Sequence, residues 1–168
     1  MVFTPFIFPN MSKTHVFKTN ISWQGSPNGT ISYKSYSRNH TISVENKPTI
    51  PASSDVTFRG DATRYNPEEL MIASVSSCHM LWYLHLCADA GVIVLDYNDA
   101  ASGKMLEEED GSGRFTEIML NPMVTVQDAS MLVKANELHQ QAHQLCFIAN
   151  SCNFPIKHSP LILAEEKQ

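Results

Sequence analysis

Two cysteines on two separate helical segments are the residues of this chain best suited to chemistry. Cys78 sits inside a long apolar run that opens Asn66-Pro67-Glu68-Glu69-Leu70, and Cys146 lies near the end of a second helical segment far down the chain. A buried helical cysteine is ordinarily no more than a small hydrophobe, so a nucleophilic role for Cys78 has to be explained. The thiolate is the reactive form of cysteine, and taking a thiol out of water disfavours it. A mid-helix position gains little from the helix N-terminus, whose field fades within the first turn. A cation must therefore approach from elsewhere, and the chain offers only four arginines: Arg38, Arg59, Arg64 and Arg114. Cys87 is nine residues beyond Cys78 on the same run, about 13 Å along a helix axis, so it cannot pair with Cys78 and reads as structural.

Histidines supply two rival chemistries. His139 and His143 are four apart and Cys146 follows three later, so all three project from one helical face at a spacing that suits a metal such as zinc. That arrangement would make the chain a metal-binding or structural protein, or a metal hydrolase, although no HExxH or CxxC motif accompanies it. A cysteine hydrolase would instead use Cys78 with His79 or His85, but His85 is two turns away, too far along the helix for direct base contact.

The elements that carry these residues are legible from punctuation and period. Asn66 is an N-cap, Pro67 a first helical residue, Glu68 and Glu69 first-turn acids and Gly91 a stop, which predicts one helix of about seven turns from Asn66 to Gly91. Its apolar residues occupy every face, the mark of a central, buried helix. A second helix is predicted over 129–149, capped by Asp128, with Met131, Ala135, Leu138, Ala142, Leu145 and Ala149 as its apolar stripe and Cys146 one residue off it. Before the first helix the pattern predicts strands at 15–23, 29–36 and 40–45, then a long connection without period over 46–65. After it come strands near 92–97, 103–106, 114–126 and 161–164, with Asp110-Gly111-Ser112-Gly113 as a turn. Trp82, one turn past Cys78, with Met80, Leu81 and Phe147, could form an apolar wall beside the two thiols, though each could equally be core.

Composition sets the outer bounds. With 168 residues and 43% hydrophobic content, the chain can bury a core without disulfides or metal. A net charge of -5 argues against a nucleic-acid surface, which needs clustered Lys and Arg. No apolar run free of polar breaks reaches the ~20 residues that span a bilayer. Residues 1–10, MVFTPFIFPN, lack a basic region and hold two prolines, so they read as an N-terminal extension before a single domain over 11–168 rather than as a secretory signal. Four cysteines without a short-spaced framework suit a reducing, cytoplasmic compartment.

The sequence resembles the OsmC/Ohr family, the osmotically induced and organic hydroperoxide resistance proteins. The resemblance rests on NPEEL followed by a cysteine ten residues after the first Glu (Asn66, Pro67, Glu68, Cys78) and on AHQLCFIANS with its Cys146, and it spans about Ser22 to Leu163. CHMLWYLHLCADAG and RFTEIMLNP are closer to an OsmC-like subgroup. The resemblance implies an α+β fold in which an antiparallel sheet wraps a long buried central helix and a second helix, as an intertwined homodimer. It also implies a cofactor-free peroxidase acting on organic hydroperoxides. In that scheme Cys78 attacks the peroxide and becomes a sulfenic acid, Cys146 resolves it as a disulfide, and a dithiol such as a lipoylated protein reduces the pair. The family's arginine from the N-terminal β-region matches Arg38 best, with Arg59 and Arg64 as the fallback, and the glutamate that orients it matches Glu68. Cys152, in an expected loop, is a spare thiol or an alternative resolver.

Glu68 and Cys78 lie ten residues apart on one helix, about 15 Å along the axis. They could share a compact site only between two copies of the helix packed antiparallel about a two-fold axis. A symmetric partner would also cover the extra apolar faces.

Overall fold

The computed structural model describes residues 13–25 and 27–166, which fall into two compact units, one up to Tyr65 and one from Asn66 onward. The expected N-terminal extension, residues 1–10, lies outside the described residues.

The N-terminal unit is built on three short antiparallel strands, β1 (Asn20–Ser22), β2 (His40–Ser43) and β3 (Ile50–Ala52), in the order β1-β2-β3. The strand expected over 29–36 is a series of turns instead. Local hydroxyl bonds account for this: Ser35 donates to the Ser32 carbonyl at 2.9 Å and accepts from the Ser32 amide at 3.1 Å, giving the backbone an alternative to a ladder. The connection over 46–65 also proves structured. It contains β3 and a 3-10 turn, Val56–Phe58, started by the Asp55 carboxylate accepting from the Thr57 amide at 2.8 Å. Gly60 closes that loop because a Cβ there would fall 1.5 Å from the Ser54 carbonyl oxygen.

The second unit centres on α1 (Pro67–Asp89). Its start is a capping box: the Asn66 side chain accepts from the Glu69 amide at 2.7 Å, and the Glu69 carboxylate accepts from the Asn66 amide at 3.2 Å. Its end is a left-handed Gly91, φ 71°, with the Val92 amide returning to the Cys87 carbonyl at 2.8 Å. Within one chain α1 buries a single stripe, Val75, His79, Tyr83 and Cys87, at a spacing of four. Its other apolar faces are only partly covered, and Leu81 is 62% exposed.

By length and hydropathy α1 is also the one helix among the described residues that could cross a bilayer. The core helix of a globular domain passes the same test, and α1 packs against strands and a second helix, α2 (Leu132–Leu145).

The strands of this unit are β4 (Val94–Asp99), β5 (Ser102–Glu107), β6 (Gly113–Leu120), β7 (Pro122–Val126), β8 (Ile156–His158) and β9 (Leu161–Ala164), in two sheets ordered β4-β7-β9 and β5-β6-β8. The single strand expected over 114–126 is broken at Asn121, whose amide donates to Asp99 at 2.7 Å, so that β6 and β7 serve different sheets. β8, absent from the sequence reading, pairs parallel to β6, and β9 pairs parallel to β7. Both sheets are therefore mixed rather than wholly antiparallel. Two helices over small sheets give the expected α+β class.

Candidate active site

Packing of α1 against α2 brings the two chosen thiols together. Cys78 is half-buried and Cys146 fully buried, and the two thiols are near enough for Cys78 to perturb Cys146. The expected helix over 129–149 is shorter than its apolar stripe suggested. α2 stops at Leu145, and Cys146 is the residue that leaves it, at φ -66° and ψ 107°. This turning of the chain exchanges the roles of two neighbours, for Leu145 is 40% exposed while Cys146 is wholly inside. The departing segment is tied back locally: the Ala149 amide donates to the Cys146 sulfur at 3.4 Å, and the Asn150 amide donates to the Cys146 carbonyl at 3.0 Å. Burial pushes the Cys146 thiol above its ordinary titration range, the Ala149 amide opposes the rise and the neighbouring Cys78 thiol adds to it. Cys146 thus keeps its proton through neutral pH.

The other cysteines stay apart from this contact. Cys87 lies in the core stripe of α1, and burial raises its titration range as well. Cys152 is half-buried rather than exposed, with its thiol donating to the Ile148 carbonyl at 3.3 Å.

Arg38 belongs to the N-terminal unit. Its guanidinium donates to the carbonyls of Tyr33, at 2.7 Å, and Tyr36, and it lies over both tyrosine rings, 4.4 Å and 3.9 Å from their centroids. It is a cation held in place by four groups. Arg59 occupies a left-handed position, φ 66°, after the 3-10 turn. Arg64 pairs with Asp61 at 3.4 Å, and Arg114 pairs with Glu108. Glu68, in the first turn of α1, has a carboxylate oxygen that is buried without a hydrogen-bond partner among the described residues.

The metal constellation anticipated from His139, His143 and Cys146 does not form. His139 turns its Nδ1 to the Nε2 of His79 at 3.0 Å, while Cys146 lies beside Cys78. Among the described residues no three histidine, cysteine or acidic side chains are arranged to hold a metal ion. Neither candidate base of the hydrolase reading serves Cys78: the Nε2 of His79 is taken by His139, and His85 is exposed, facing Asp89 at 3.5 Å. The sequence reading missed a cluster, because His79, His139, His143 and His158 sit together, with Tyr83 stacked on His139 at 3.9 Å. One signal was available. His79 falls at the four-residue spacing of Val75, Tyr83 and Cys87, which marks it as a core residue.

Beside the thiols lies an apolar patch. Trp82 meets Phe147 edge to face at 5.6 Å, and Leu81, Trp82 and His85 line a pocket of about 250 Å3. Phe147 is 68% exposed.

The family model for OsmC-like protein matches residues 60–160, more than half of the chain. The chain belongs to the OsmC-like family. The matched segment holds Glu68, Cys78 and Cys146, and Arg38 precedes it. Among solved structures this OsmC-like chain is similar to an OsmC-like protein of unknown function from Vibrio cholerae, at 28% identity and a TM-score of 0.78, covering 88% of this chain and all of that one. It is also similar to an organic hydroperoxide resistance protein from Elizabethkingia anophelis, at 15% identity and a TM-score of 0.60, over 91% of this chain and all of that one. A putative organic hydroperoxide resistance protein from Vibrio cholerae, with captopril bound in one of its active sites, matches at 19% identity and 0.61, over 92% and 96% of the two chains. The last two likenesses are of fold. No curated protein matches the chain.

Proposed function

We propose that this OsmC-like protein is a cysteine-based peroxidase that reduces organic hydroperoxides to alcohols. The observation that carries the reading is the proximity of the half-buried Cys78 thiol to the buried Cys146 thiol. In the cycle, the Cys78 thiolate attacks the distal peroxide oxygen, the O–O bond breaks, and the alkoxide leaves with a proton as the alcohol. Cys78 is then a sulfenic acid. The Cys146 sulfur attacks it, a disulfide forms and water departs. A dithiol reductant, such as a lipoylated protein, restores both thiols by exchange. The half-buried Cys78 can meet a substrate while Cys146 is withdrawn from solvent, the order of access that this sequence of steps requires. The patch of Leu81, Trp82 and Phe147 suits an alkyl tail.

Arg38 is the cation assigned to the thiolate, with Arg59 and Arg64 as substitutes, and Glu68 is the residue assigned to orient it. Two features support a homodimer with shared sites: the uncovered apolar faces of α1 and the unpartnered carboxylate oxygen of Glu68. The cycle runs on thiols alone and suits the cytoplasm, with residues 11–168 acting as one domain.

The test is mass spectrometry after one equivalent of an organic hydroperoxide. A Cys78–Cys146 disulfide is the expected product, and Cys146→Ser leaves Cys78 as sulfenic or over-oxidised acid. Unchanged peroxide consumption by Cys78→Ser overturns the reading.

A further inference from the structure

The side-chain cluster not used by this chemistry is the histidine group between α1, α2 and β8. His79 and His139 are 1% and 0% exposed, and their rings are within 8° of parallel with centroids 5.3 Å apart. With Nε2 of one 3.0 Å from Nδ1 of the other, the rings are joined in line by one N–H···N bond rather than stacked face to face. Among the described residues this is the one side-chain hydrogen bond between α1 and α2. The His139 ring is pinned from its face by Tyr83, 13° from parallel.

The pair is an expensive way to fill a core. The outer nitrogens, Nδ1 of His79 and Nε2 of His139, are buried with no partner among the described residues, and two apolar side chains of similar size would avoid that desolvation. What a directional bond supplies, and apolar packing does not, is a fixed rotation and a fixed register of one helix on the other. His79 follows Cys78 directly, and His139 lies seven residues before Cys146, within the last two turns of α2 before the chain leaves it. A turn of α1 about its axis would swing Cys78 away from Cys146, and the same turn would break the imidazole bond.

We infer that His79 and His139 are positioning residues, whose mutual hydrogen bond holds Cys78 in register for capture by Cys146. They do not take part in the attack on peroxide. The inference rests on the peroxidase reading for its place in the cycle, but it concerns only the second step, the closure of the disulfide. Capture is a geometric event between two sulfurs, and a displacement of about 1 Å can cost up to about 10²-fold in rate. Slow capture leaves the sulfenic acid exposed to a second peroxide, which carries it to sulfinic acid.

The experiment compares His79→Leu with the unaltered protein. Sulfenic acid formation is timed by dimedone trapping, and the division of Cys78 between disulfide and sulfinic acid is measured by mass spectrometry. Trapping is expected within about twofold of the unaltered protein while the disulfide-to-sulfinate ratio falls about tenfold. His79→Gln, whose amide nitrogen can stand where Nε2 stands, restores the ratio. Equal ratios in His79→Leu and the unaltered protein overturn the inference. Should His79→Leu fail to fold, the comparison moves to His79→Gln against His79→Asn, whose shorter amide cannot reach His139, and equal capture by those two overturns it as well. Diamide separates this from the peroxidase reading, because it joins two thiols with its own reduction to the hydrazine and needs no peroxide. If diamide closes the disulfide in the order Gln above Leu but peroxide does not react with Cys78, the function falls and the positioning role stands.

Discussion

The hydroxyl of Ser76 donates to the carboxylate of Asp99 at 2.5 Å, and the other oxygen of that carboxylate accepts the amide of Asn121 at 2.7 Å. One aspartate thereby fastens the helix that carries Cys78 to β4 and to the corner between β6 and β7. Asp99→Ala orphans both donors and should lower stability by about 1–3 kcal/mol. Ser76→Ala removes one bond and should cost about 1 kcal/mol. Urea unfolding of the two variants and the double variant checks the values, and additive losses would deny the shared anchor.

Acid should weaken the protein before its carboxylates titrate. Burial, with the neighbouring histidines, holds His79 down at about 4 and His139 at about 3, from an ordinary 6.5, and His158 is lowered too. The unfolded chain takes up protons on these rings below about 6.5 while the folded chain refuses them, so stability is complete above that value and falls as the pH drops toward 4. His79 alone accounts for on the order of 3 kcal/mol across that window. Glu117 is held at about 2 by hydrogen bonds and charge from Lys104 and Lys157, and its own loss comes later, between its ordinary 4.5 and 2. A urea midpoint unchanged between about pH 7 and about pH 5 would refute the histidine effect.

Trp82 should govern the size of peroxide accepted. Trp82→Ala removes the wall that meets Phe147, and kcat/KM for a bulky aralkyl hydroperoxide should fall about tenfold or more. A small hydroperoxide that never reaches the wall should lose far less. Equal losses for both would place Trp82 in the core alone.

Shared sites in a dimer predict complementation. Glu68→Ala and Cys78→Ser proteins, each inactive alone, should regain partial peroxidase activity when their subunits are exchanged. A fully active monomer in sedimentation would exclude the arrangement.

Much of this was legible where a residue's local chemistry decides its conformation. Asn66, Glu69 and Gly91 set the ends of α1 through bonds to their own neighbours and Pro67 through its fixed φ, and the structure ends the helix within two residues of the reading. The two thiols could be chosen from the sequence, but their contact could not, because it depends on how α1 meets α2 and on α2 stopping at Leu145. A regular period carried through Cys146 to Ala149, and only the local bonds of Ala149 and Asn150 reveal the break. The turns over 29–36 were misread because Ser32 and Ser35 bond to one another, a choice that strand-like composition does not display. β8 is three residues long and pairs with a strand far away in sequence, so nothing local announces it. His79 hid in plain view as a polar residue at a core position.

The point at which Cys146 leaves α2 gives the two sulfurs unlike mechanical surroundings. Cys78 is flanked on both sides by helix and cannot shift without straining several turns of backbone. Cys146 stands at a joint, followed by a short 3-10 turn, Ala149–Ser151, rather than by further helix. A disulfide needs Cα atoms within about 7 Å and a defined torsion. If the proposed disulfide forms, the adjustment that closes and reopens it falls on the joint, and the sulfur of Cys78 stays where it is.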